Sequence, residues 1–284
     1  MEKTIGNPLS WTARQFGSAG DHIAATAAEL GGETTAPPRV KKLTMDDVRA
    51  ALRAGKDDFL ACRTDAIFAV LIYPLMGLAL IAIGFHTDRM PMLFPLLAGF
   101  ALLGPVAAVG LYEMSRRREA GQPVSWQSAF AVIQSPSFGA VLVMGLYMLG
   151  LFIVWMFAAL QIYNWTLGPE SPTSLAAFAN DVVSTPAGWT MIIAGFAVGF
   201  AFALIALAMS VVSFPLLLDR HVGVPVAIVT SFRVMQRTPR VTLTWGAIVA
   251  GGLVLGAIPF LVGLVVIMPI LGHATWHFYR RAVG

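Results

Sequence analysis

Charge is scarce in this chain and cysteine nearly absent. Only 12% of the 284 residues are charged, against 57% hydrophobic, where a soluble domain carries about 25% charged residues. Cys62 is the sole cysteine, which excludes an intramolecular disulfide and a cysteine metal cluster. No Asp, Glu, Lys or Arg lies in the middle of any long apolar run. A charge at the bilayer centre costs roughly 2.5–3.5 kcal/mol and is kept mainly where it has a use. Its absence argues against a proton-coupled pump. There is no Walker loop, no dinucleotide fingerprint and no Gly-x-Ser-x-Gly elbow. The chain stays polar up to Arg63, so its first apolar run comes too late for a signal peptide. Acids are interspersed with the bases of that polar stretch, which argues against nucleic acid as a partner.

What is present is a repeat. Pro95-Leu96-Leu97-Ala98-Gly99 is followed by Pro105, Tyr112 and Arg116-Arg117. Pro259-Phe260-Leu261-Val262-Gly263 is followed at the same spacing by Pro269, Trp276 and Arg280-Arg281. A polar elbow also recurs, as Gly121, Pro123, Phe130, Gln134, Pro136 and as Gly223, Pro225, Phe232, Gln236, Pro239. The class expected is all-α: a polytopic membrane bundle of six spans in three hairpins, with short amphipathic helices on the cytoplasmic face.

Residues 1–42 read as a disordered cytoplasmic tail, since no apolar period is sustained there. Residues 43–63 read as an amphipathic helix. Thr44 is its N-cap, Asp46 and Asp47 fill the first turn, and Leu43 and Val48 form a hydrophobic staple. Two placements stay open for it, at the membrane interface or against the protein's own cytoplasmic face. The remainder, 64–284, is the transmembrane domain. Ala66 to Phe85 is long enough to cross about 30 Å of hydrocarbon. The next runs are Met92–Met114, Phe138–Ile162 and Trp189–Leu218, and two more fill Val241–Tyr279. Pro74, Pro105 and Pro269 lie inside runs, and Pro215 is the expected kink of the fourth. Of the 19 Lys and Arg, only Arg89 falls on the outer side. The positive-inside rule then puts both termini in the cytoplasm.

The entry segment Leu43…Asp46-Asp47…Ala51-Leu52…Gly55…Asp57-Asp58-Phe59, the Pro105…Tyr112…Arg116-Arg117 exit and the Pro269…Trp276…Arg280-Arg281 close resemble a known family. It is a bacterial family of six-span inner-membrane proteins carrying a domain of unknown function. Some members are encoded near respiratory oxidase genes. The resemblance implies a multi-pass protein of the bacterial cytoplasmic membrane and brings no catalytic residues.

A candidate polar cluster is Glu113, His273 and His277. The two histidines are four apart on one helix face, the spacing of helical metal sites, but without the intervening Glu. Glu113 occupies the position equivalent to His277 in the first copy of the repeat. If the two arginine-ended helices are neighbours, the acid can face either histidine. The plainer reading is neutral imidazoles hydrogen-bonded near Arg280, and Glu113 paired with an arginine. No catalytic residue, metal or cofactor is expected. Arg116, Arg117, Arg233, Arg237, Arg280 and Arg281 are candidate contacts for lipid headgroups. Gly195, Gly199 and Ala203, with Gly252 and Gly256, are candidate helix-packing positions. The function these features suggest is not enzymatic. It is an accessory, assembly or scaffold role in a membrane complex, with other membrane proteins or further copies of the chain as partners. The alternative is a transporter or channel for a small neutral or apolar solute.

Overall fold

The computed structural model describes residues 38–85, 90–220 and 222–284. Nearly all of the tail expected over 1–42, and the outer turn at His86, Asp88 and Arg89, lie outside the described residues. Among those described the chain is all helical, with one isolated antiparallel bridge between Val40 and Val283.

The first helix is α1, Met45–Ala61. Thr44 accepts from the Asp47 amide and its own amide donates to the Asp47 carboxylate, which closes a capping box. Next come α2, Arg63–Val70, and α3, Ile72–Gly84. They break at Leu71, because Pro74 has no amide to offer the Val70 carbonyl. The expected second run is not one helix but three. These are α4, Met90–Leu102, α5, Gly104–Ala107, and α6, Val109–Glu119. The break at Leu103 falls just ahead of Pro105, for the same reason as at Leu71.

The first elbow is a short helix, α7, Trp126–Phe130, and one 3-10 turn, Ala131–Gln134. Then α8, Phe138–Thr166, runs unbroken. The connection after it holds a helix the apolar pattern did not announce, α9, Leu175–Ser184, started by the Ser174 side chain on the Ala177 amide. It is followed by α10, Pro186–Ser210, and α11, Ser213–Asp219, which break apart ahead of Pro215. The second elbow is α12, Val224–Arg237. The last pair is α13, Pro239–Ala257, and α14, Leu264–Ala282.

Among the described residues, four helical stretches are long and apolar enough to cross a membrane: Arg63–Gly84, Phe138–Thr166, Pro186–Asp219 and Pro239–Ala257. The two arginine-ended stretches are of another kind. One is interrupted, and the second half of α14 carries His273, His277, Arg280 and Arg281.

That half of α14 is the hub of one end of the bundle. It packs on α1, α2, α6, α11 and α13. Trp276, Phe278, Tyr279 and His273 are all fully buried there, with Phe278 stacked on Trp245 of α13. The apolar stripe of α1, Val48, Ala51, Gly55 and Phe59, is likewise covered, by α14. Its closest approach is at Gly55, where a Cβ would overlap the Ala274 backbone. Gly55→Val should therefore push α1 off α14 and cost about 1–3 kcal/mol. Gly195→Val, where the added carbon meets nothing within 4 Å, should be close to neutral. Thermal unfolding in one detergent compares the two directly.

Candidate functional site

Three helices bring polar side chains together beneath the arginine-rich end. From α1 comes Asp58, with Cys62 just past the helix end. From α6 come Ser115 and Arg118. From α14 come His273 and His277. The carboxylate of Asp58 is the common acceptor. Its Oδ2 receives the Ser115 hydroxyl at 2.6 Å and His277 Nε2 at 2.8 Å, and its Oδ1 receives Arg118 Nε at 2.8 Å. Ser115 has one proton, already given to Asp58, so its oxygen accepts from His273 Nδ1 at 2.8 Å. That assignment leaves His273 Nε2 without a proton, facing the Cys62 sulfur at 3.9 Å.

Burial alone would raise the Asp58 pKa. The hydrogen bonds from His277 and Ser115, with the electrostatic attraction of His277, outweigh it and hold the carboxyl below its ordinary value. The Cys62 thiol is pushed up to about 11, first by burial and then by the Asp58 charge. It stays protonated and is a poor nucleophile. Ser115 is no better placed. The base that receives its hydrogen bond is the Asp58 carboxylate, whose lowered pKa makes it a weak acceptor of the proton itself. What the cluster does chemically is hold three helices with charge-assisted hydrogen bonds. Among the described residues no three His, Cys, Asp or Glu side chains are placed to share a metal ion.

Of the two readings of Glu113, the meeting with the histidines is corrected and the pairing with an arginine is what the structure holds. Glu113 is buried, but Arg116 clamps it with two bonds, of 2.7 and 2.9 Å, and Arg117 adds one of 2.7 Å. The two arginine-ended helices, α6 and α14, are indeed neighbours. The face is what differs. Positions 113, 116 and 117 share one side of α6, while 115 and 118 share another, and it is the second that meets α14.

A third network caps the same end. Glu119 accepts from Trp276 Nε1 at 2.8 Å and from Arg280 Nε at 3.0 Å. Asp219 accepts from the Tyr279 hydroxyl at 2.6 Å and from Arg280 Nη1 at 3.4 Å. A shallow depression of about 290 Å³ opens there, lined by Glu119, His277, Arg280 and Arg281.

Of the six arginines expected at lipid headgroups, Arg116, Arg117 and Arg280 are held by acids, and Arg281 lies 3.9 Å from Asp47. Arg233 and Arg237 are exposed on α12 with no acid partner among the described residues. Of the packing positions, Gly199 touches the Trp155 ring, Gly252 meets Leu271 and Gly256 meets Leu264. Gly195 faces open space and Ala203 is exposed.

Ser115, Arg118, Glu119 and Asp219 were not singled out from the sequence for a site role, nor was Asp58, beyond its place in the entry segment. Asp58 could have been. It continues the Val48, Ala51, Gly55 stripe at helical spacing, and an acid on an apolar stripe needs a buried partner.

Residues 93–219 match the model of a family described as "Predicted integral membrane protein (DUF2189)". The match covers α6 and its arginines and stops short of α12, and it includes neither α1 nor α14. No curated protein and no solved structure matches the chain.

Asp58→Ala leaves Arg118, Ser115 and His277 without their acceptor and should cost about 3 kcal/mol. The folded pKa of Asp58 lies below its unfolded value. Its contribution is therefore complete above about pH 4 and is lost as pH falls through the folded value. Unfolding temperatures between pH 3 and 6 should show that acid dependence in the parent and a smaller one in Asp58→Asn.

Proposed function

We propose that this integral membrane protein is an accessory, assembly or scaffold component of a complex in the bacterial cytoplasmic membrane, and that it is not an enzyme. It works by helix–helix association. One observation supports this above others: α10 offers a bare face. Gly195 has nothing within 4 Å, Ala203 is exposed, and Ile193, Phe196 and Phe200 are more than half exposed beside them. Small residues among large ones let a second helix approach closely, and close packing is what drives association in lipid.

The transport reading needs polar groups converging at mid-membrane. The polar side chains described above gather instead at one end and are bonded to one another, which favours association. The chain lies in the membrane as six helices in three hairpins, with both termini in the cytoplasm. On that side, Arg233, Arg237 and Arg240 of the second elbow meet anionic headgroups.

Reporter fusions after Gly121 and Gly284 should read as cytoplasmic, and one after Ser174 as periplasmic. A photo-crosslinking residue at Ala203 should trap another membrane protein or a second copy of the chain in native membranes. Lipid adducts alone would contradict the association reading.

A further inference from the structure

No polar or charged side chain occurs between Trp245 and His273. The turn that joins α13 to α14 lies in the middle of that stretch. Three of its side chains face away from the protein, Ile258 at 71% exposed, Phe260 at 83% and Val262 at 66%, while Leu261 turns inward and is buried. A turn that meets water is ordinarily built from Gly, Asn, Asp or Ser. Here Phe260 and Leu261 take φ of 49° and 66°. Bulky residues pay about 1–2 kcal/mol each for that left-handed region, where Gly or Asn would not.

Every amide of this turn except that of Gly263 is met from within it. Ile258 donates to Val254, Phe260 to Ile258, Leu261 to Ala257, Val262 to Pro259, Leu264 to Leu261 and Val265 to Val262, all between 2.9 and 3.2 Å. Pro259 has no amide to satisfy. Water would accept from open amides at no cost, but in hydrocarbon each unmet group costs several kcal/mol. The connection between α8 and α10 is of the opposite kind. It carries Glu170, Ser171, Thr173, Asn180 and Asp181, all exposed.

We infer that the α13–α14 turn is embedded among the lipid acyl chains of the far leaflet, so that this hairpin enters and leaves on the arginine side without reaching the opposite aqueous phase. The reach agrees. The 19 residues of α13 extend about 28 Å at 1.5 Å per residue, and the hydrocarbon is about 30 Å thick. With Arg240 and Arg280 at the near headgroups, the tip stops at or inside the far boundary. The inference rests on the membrane reading above and adds to it a depth for one turn.

Nitroxide labels on single cysteines test it in reconstituted vesicles, in a Cys62→Ser background. Val262→Cys should relax strongly with oxygen and weakly with a water-soluble nickel chelate. Thr173→Cys should show the reverse, and Phe196→Cys, on an exposed face of α10, should behave like Val262→Cys. A Val262 label reached by the chelate would place the turn in water and overturn the inference. One reached by neither probe would put protein over the turn and overturn it equally. If the Phe196 label is also reached by the chelate, the membrane reading itself has failed.

Discussion

The Asp58 carboxylate is the acceptor on which the arginine-rich end is assembled. It belongs to α1, yet its partners come from α6 and α14. Burying a carboxylate is costly unless its oxygens are met by good donors. Here a hydroxyl, an imidazole and a guanidinium meet them, and the lowered pKa reports that these donors outweigh burial. The packing around the acid follows the same demand. Gly55 lets α1 lie against Ala274, and Gly272 lets α14 lie against Leu111, so the backbones come close enough for side-chain bonds between all three helices.

Polar and apolar parts of the molecule are thereby kept apart. Acids, histidines and the arginines of α6 and α14 are spent on one another at one end. The arginines of α12 are not, and this separates charges that hold the bundle from charges left over for a surface. The four long apolar stretches carry no Asp, Glu, Lys or Arg in their middles, so dispersion, small-residue contacts and lipid decide what they meet. Integral membrane character follows from four apolar helices, among the described residues, long enough to cross, and the matched family description agrees with it.

Much of the helical architecture was legible in the sequence, because long uncharged runs, internal prolines and capping residues act locally. Thr44 and Asp47 announced α1, and Pro215 announced the break between α10 and α11. Ser174, which starts α9, went unread inside a stretch with no apolar period to draw attention to it. The site was legible only in part. The helical spacing of His273 and His277 marked their shared face, but nothing in a linear chain shows which side of α6 turns toward them. Glu113 drew notice as a lone acid near a span. Its arginines at i+3 and i+4 are the nearest donors a helix can offer, and that local pairing takes it out of reach. Asp58 could be suspected from its stripe, whereas Ser115 as its bridge to His273 depends on the tertiary packing alone.

The central claim is that Asp58 binds across helices and is more than an acid that happens to lie at their junction. A double-mutant cycle between Asp58→Asn and His277→Phe, read as unfolding free energy at neutral pH in one detergent, addresses it most directly. The account predicts that the two changes couple by more than about 1 kcal/mol, because each removes the other's partner. Additivity within about 0.5 kcal/mol would mean that the bond contributes nothing of its own, and would contradict the account.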